Sequence, residues 1–175
     1  MSIAVGVFGS SLPREGSPAY EVAREIGREI ARLGGRIVCG GYGGVMEAAC
    51  RGASELGGKS LGVLISGRGQ GNCWLTERVT EPDLPARLRR LCHESEAWIF
   101  LPRGLGTMLE LVWIAESVVK GDVAPHPFVL LGDFWRPIVE TALAEASRPA
   151  GAESLRTCVR FAGTPKEAVS LAIRI

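Results

Sequence analysis

Short apolar runs alternate about six times with helix-patterned segments along this chain, and few folds accept that rhythm. The runs are Ile3–Phe8, Arg36–Cys39, Ser60–Ile65, Ala97–Leu101, Pro127–Leu131 and Cys158–Phe161. A strand covered on both faces reads as continuous apolar sequence, whereas a half-solvated strand alternates. The first helix opens at Ser17-Pro18, serine as N-cap and proline in the first turn. It carries Val22, Ile26, Ile30 and Leu33 at helical spacing and stops at Gly34-Gly35. Further helices are expected over Val45–Leu56, Ala86–Glu94, Met108–Lys120, Trp135–Ala146 and Pro165–Ile173. Ser66–Pro85, with Gly67, Gly69, Gly71, Pro82 and Pro85 and no clear period, reads as a long loop of the kind that carries function. Ser147–Ser154 reads as a polar linker. Right-handed crossovers turn this order into one α/β domain over residues 1–175. It is a doubly wound, mostly parallel sheet of the Rossmann kind, with six to seven strands and helices on both faces.

Charge narrows the partners. Twenty basic residues oppose nineteen acidic ones, a net charge of +1, which argues against a surface for a nucleic-acid polymer but leaves room for a local anion pocket. Only Lys59, Lys120 and Lys166 are lysines; the arginine bias suits phosphate or reflects composition alone. Five cysteines without a CxxC pair, and two histidines, point away from a disulfide framework and from a metal site. No apolar run is as long as a membrane span, and the N-terminus does not read as a signal peptide. The expected location is therefore the cytoplasm, with no membrane partner.

Glycine clusters where the strands end, at Gly9-Ser10-Ser11, Gly40–Gly44 and Gly104–Thr107. Ligands of a doubly wound sheet sit at that edge, and free amides at a following helix N-terminus attract an anion. Glycine at such a turn also has purely conformational uses, so any one turn is ambiguous. Three along one edge favour a phosphate-bearing ligand. Gly6-Val7-Phe8-Gly9 lacks the third glycine of the dinucleotide fingerprint, and no Gly-Lys-Ser/Thr follows either turn, which disfavours NAD and ATP hydrolysis.

Leu101-Pro102-Arg103-Gly104-Leu105-Gly106-Thr107-Met108-Leu109-Glu110 resembles the PGGxGTxxE signature of the Lonely Guy (LOG) family. Val7–Ser11 resembles that family's first turn, and Gly40–Met46 its GGxxGLM segment. Members are cytokinin-activating nucleoside 5′-monophosphate phosphoribohydrolases, long mislabelled as lysine decarboxylases. The resemblance implies hydrolysis of AMP or a cytokinin nucleotide to free base and ribose 5-phosphate, by a homodimer without metal or organic cofactor. It assigns the catalytic pair to Glu110 and to Arg87, fifteen residues before the signature proline. It places Gly9, Ser10, Gly41, Gly44, Met46, Arg103, Gly104, Gly106 and Thr107 around the phosphate and nucleotide. Three positions depart from the pattern. Leu88 replaces the usual lysine, Glu47 a frequent glycine, and Arg103 the second residue of PGG. Arg103 either adds a phosphate contact or blocks the nucleotide.

Cleavage of an N-glycosidic bond passes through an oxocarbenium-like sugar, which a nearby carboxylate can stabilise or supply with an oriented water. Glu110, a few residues into the helix after the third turn, would lie near a phosphorylated ribose; taken alone it is an ordinary glutamate favoured by the helix dipole. Arg87 would hold phosphate or polarise the departing base; taken alone it belongs to a solvated basic run. Ser10 and Ser11 either bind ligand oxygens or cap a turn. Trp74 either stacks on a base or anchors the long loop, while Trp98, Trp113 and Trp135 suit core or interface. The helix from Met108 is apolar around most of its circumference, which requires deep burial or an interface. A lysine decarboxylase would need a Schiff-base lysine, and the three lysines lie away from the glycine edge. An alternative on the same fold is a non-catalytic carrier or sensor of a phosphorylated ligand, like the molybdenum-cofactor carriers that resemble this family.

Overall fold

A computed structural model describes residues 2–145 and 149–173. In chain order the elements are β1 (Ala4–Phe8), α1 (Pro18–Arg32), β2 (Arg36–Cys39), α2 (Val45–Ser54), β3 (Lys59–Ile65), β4 (Glu77–Glu81) and α3 (Leu84–His93). They continue with β5 (Ala97–Phe100), α4 (Leu105–Lys120), β6 (Phe128–Leu131), α5 (Arg136–Ala144), α6 (Pro149–Cys158), β7 (Val159–Ala162) and α7 (Pro165–Ala172). The strands form one seven-stranded sheet in the order β4-β3-β2-β1-β5-β6-β7. Every pairing is parallel, with Gly6 opposite Val38 on one side of β1 and Trp98 on the other. This is the doubly wound Rossmann-like arrangement. After β4 the chain returns across the sheet to place β5 on the far side of β1. The order therefore reverses between β1 and β5, where such sheets open a crevice.

Alternate side chains of each strand feed two cores. Val5, Val7, Ile37, Cys39, Ile99 and Val129 face the layer of α1, α2 and α7. Phe8, Val38, Val63, Trp98, Phe100 and Phe128 face the layer of α3 to α6. In that second layer Phe8 stacks on Phe100 at 5.0 Å between ring centres. Helices α1 and α2 cross at glycines. A methyl group on Gly27 would lie 2.0 Å from the Ala49 carbonyl oxygen, and one on Gly52 would lie 1.9 Å from that of Arg24. The close crossing draws α2 tightly onto the sheet, and its N-terminus onto the edge where the turns gather.

Two segments differ from the sequence reading. The expected loop Ser66–Pro85 contains β4 and the start of α3. β4 is an edge strand whose sequence Glu-Arg-Val-Thr-Glu has only Val79 and Glu81 part-buried at 77–81, so composition masks a pairing made through the backbone. The expected linker Ser147–Ser154 holds α6 from Pro149 onward; Ser147 lies outside the described residues. Ala152, Leu155 and Cys158 recur every three residues on the buried side of α6, diluted by glycine and polar residues. Helix α4 also begins three residues earlier than expected, at Leu105, because Gly104 is its N-cap rather than part of a longer turn. Among the described residues no helix is long and apolar enough to cross a membrane.

Candidate functional site

The three glycine turns meet at Ser10. Its carbonyl accepts the Val45 amide at 2.9 Å and so ties the end of β1 to the start of α2. Gly44, at φ 68°, leaves no room for a side chain, since a methyl group there would lie 2.4 Å from the Ser10 oxygen. Gly104 approaches from β5, with its own methyl position 3.3 Å from the Ser10 Cα. Trp135 fixes the β5 end from below, its indole N–H donating to the Leu101 carbonyl at 2.8 Å. The result is a cavity of about 590 Å³ over the reversal in strand order. Gly9–Leu12, Tyr42, Met46, Ile65, Arg68, Arg87, Gly104–Thr107 and Glu110 line it.

Two helix N-termini border this cavity, and they are not equivalent. Glu47 supplies a carboxylate to the first turn of α2, which already meets the positive end of that dipole. The first turn of α4 holds no acid and no side chain caps it. Its first amides thus lack intrahelical partners. Thr107, only 2% exposed, lines the cavity, and its hydroxyl has no hydrogen-bond partner among the described residues. A buried hydroxyl beside free amides at a positive helix end is suited to a phosphate.

Arg87 and Glu110 come from different helices, α3 and α4, and both are 8% exposed. The Arg87 Nε donates to the Val63 carbonyl at 2.8 Å, and its Nη1 reaches Glu110 Oε1 at 3.4 Å. Its guanidinium also lies 5.9 Å from the centre of the Tyr42 ring. Gly40 makes this placement possible, because a methyl group there would fall 1.7 Å from Arg87 Nη2. Burial pushes the Glu110 carboxyl up to about 7, against the opposing pull of Arg87. A carboxyl that changes charge near neutrality, oriented by an arginine inside a cavity, is equipped for general acid–base or electrostatic work.

Of the residues expected at the site, Gly9, Ser10, Met46, Gly104, Gly106, Thr107, Arg87 and Glu110 line the cavity. Gly41 and Gly44 stand behind it as turn formers at positive φ. Arg103 turns away. It is exposed and lies 5.6 Å from the Phe134 ring centre, and it holds φ 75°, a conformation that suits the glycine of the family signature. Trp74 packs on the core of α1 and α2 with Arg51 over its ring at 5.4 Å, so it anchors the loop. Leu12, Tyr42, Ile65, Arg68 and Leu105 are cavity residues that sequence reasoning did not select. Tyr42 and Leu105 sit inside two of the glycine turns, Leu12 follows the third and Arg68 lies between Gly67 and Gly69, so each had a nearby signal, whereas Ile65 reads as one more apolar strand position. Among the described residues no group of three or more His, Cys, Asp or Glu could hold a metal ion.

Comparison with known proteins gives the chain a family and fold neighbours. A cytokinin riboside 5′-monophosphate phosphoribohydrolase of Rhodococcoides fascians is 30% identical over 145 residues, covering 78% of this chain and 72% of that protein. The fold matches the molybdenum cofactor binding protein of Rippkaea orientalis with a TM-score of 0.75 at 23% identity, over 98% of this chain and 95% of the other. It also matches the molybdenum cofactor carrier protein of Chlamydomonas reinhardtii with a TM-score of 0.74 at 24% identity, over 97% and 95% of the two chains. The profile of the SLOG cluster4 family matches residues 2–120, which include all three glycine turns, Arg87 and Glu110, and the chain belongs to this LOG-like family.

Proposed function

We propose that the protein hydrolyses the N-glycosidic bond of a nucleoside 5′-monophosphate, releasing the base and ribose 5-phosphate. The observation that carries this reading is the Arg87–Glu110 pair, 3.4 Å apart and buried, in the same cavity as the uncapped start of α4. The 5′-phosphate sits on the amides of Gly104–Thr107 and the Thr107 hydroxyl. That anchor brings the ribose over Glu110, which is one turn further along α4. As the bond to the base lengthens, positive charge grows on the sugar and the Glu110 carboxylate stabilises it. Water adds to the anomeric carbon, losing a proton, and the departing base takes up a proton. Arg87 holds the carboxylate in place and supplies a donor beside the leaving group.

The relative from Rhodococcoides fascians is named for a cytokinin riboside 5′-monophosphate, which supports a nucleoside 5′-monophosphate as the substrate class. The exposed Cys73 thiol and the buried Cys39–Cys50 thiol contact at 3.5 Å suit a reducing compartment and support a cytoplasmic location. Helix α4 buries Leu111, Ile114 and Val118, yet exposes Leu105, Leu109, Val112 and Trp113, which supports a homodimer.

The test is chromatographic detection of free base from AMP, CMP, GMP, UMP and IMP, with the corresponding nucleosides as controls. Base released from a nucleotide but not from its nucleoside supports both the reaction and the phosphate anchor. If no base appears from any nucleotide while one of them binds, the carrier reading replaces the hydrolase.

A further inference from the structure

We propose that Arg68 reads the base, and that it selects a 6-oxopurine, guanine or hypoxanthine, over adenine; this rests on the nucleotide reading of the site. Arg68 is a cavity residue on the loop after β3. The α4 phosphate cradle lies after β5. Strands β2 and β1 intervene, so the two ends of the cavity are three strand spacings apart, about 14 Å. That is the reach of an extended nucleotide. With the phosphate on α4 and the ribose over Glu110, the base falls among Tyr42, Met46, Ile65 and Arg68.

The arginine is also available. Arg24, Arg28, Arg32, Arg36, Arg51, Arg87, Arg90, Arg136 and Arg156 all form ion pairs. Among the described residues Arg68 has no such partner and no side-chain hydrogen bond, although it borders the candidate site. The loop around it is held at its far end. Asn72 donates from its side chain to the carbonyls of Gly41 and Tyr42 at 3.2 and 3.0 Å. Arg78 grips the carbonyls of Gln70 and Asn72 at 3.1 and 2.9 Å. The near end is tied by the Ser66 amide to Glu81 at 2.9 Å. Between these ties Gly67 and Gly69, at φ 77° and 91°, have open space around them, so the tip that carries Arg68 has room to settle on a base.

A guanidinium offers five N–H donors and no acceptor. The O6 and N7 atoms of guanine or hypoxanthine are two adjacent acceptors that match its fork. Adenine presents an amino group at the same place, donor against donor. Among the cavity-lining residues Glu110 supplies the one carboxylate, and it is engaged by Arg87.

The experiment compares kcat/KM for base release from IMP, GMP and AMP in the unaltered protein, Arg68→Ala and Arg68→Gln. In parallel, calorimetry measures binding of IMP and AMP to Glu110→Gln with and without Arg68→Ala. A good bidentate pair gives on the order of tenfold discrimination or more. IMP and GMP are therefore expected to exceed AMP by at least that factor, and the ratio to fall towards one in Arg68→Ala. Equal preference for AMP, or a ratio that Arg68→Ala leaves unchanged, overturns the proposal. Discrimination in binding that depends on Arg68, without turnover of any nucleotide, upholds base reading by Arg68 and overturns the hydrolase instead.

Discussion

At the scale of single residues, burial of Glu110 ties activity and stability to pH in opposite directions. Its carboxyl ionises at about 7 in the folded protein, above the ordinary value of 4.5. The folded state therefore binds that proton more tightly than the unfolded one. Its stabilising contribution is complete below about 4.5 and is lost as pH rises through 7, on the order of 3 kcal/mol in all. In the proposed mechanism the carboxylate form of Glu110 acts, so kcat/KM should rise with pH on an acid limb near 7, above the phosphate's own second ionisation at about 6. Urea unfolding from pH 5 to 8 should show stability falling in the parent protein and flatter in Glu110→Gln. A parallel fall in both proteins would remove Glu110 as the cause. Sequence alone could not pair this residue with Arg87. They are 23 positions apart on different helices, and only the family resemblance singled them out. Tyr42 and Arg68 lie between glycines that the sequence marks, but which side chain enters the cavity depends on how each turn or loop folds back on the sheet edge; Ile65, the last residue of β3, reads only as buried strand. Arg103 was visible as a departure from the signature, but its direction was set by backbone at φ 75° and by Phe134, far along the chain.

At the scale of elements, buried strands announced themselves because both their faces are apolar, and helices because their capping residues and periods are local. β4 and α6 were hidden because their polar residues outnumber the few that face inward. The α1–α2 crossing separates propensity from packing. Helix propensity alone predicts that Gly27→Ala gains about 1 kcal/mol. The added methyl group would lie 2.0 Å from a backbone oxygen of Ala49, which cannot step aside as a side chain can. Overpacking of this kind costs typically about 1–3 kcal/mol, so the clash wins. Gly27→Ala should lower the urea midpoint, whereas its exposed counterpart Gly34, which has open space but φ 72°, tests backbone strain alone. A higher midpoint for Gly27→Ala would show that the helices can separate at little cost.

At the scale of the whole molecule, the parallel sheet gathers three turns at one edge and leaves one helix end there without an acid or a cap. The same helix carries an exposed apolar stripe on its other side. A second copy covering Leu109, Val112 and Trp113 would account for that stripe. Sedimentation should give a dimer for the parent protein and a monomer for Trp113→Glu; a monomeric parent would mean that a second copy does not cover this stripe. If Glu110 acts on a nucleotide held by the backbone of α4, binding and turnover must separate in a single variant. Affinity and base release should be measured on the same sample of Glu110→Gln with one nucleotide that the parent protein hydrolyses. Binding should be retained, because the phosphate contacts lie on Gly104–Thr107, while base release slows by about 10²-fold or more. Base release at the parental rate would take Glu110 out of the chemistry.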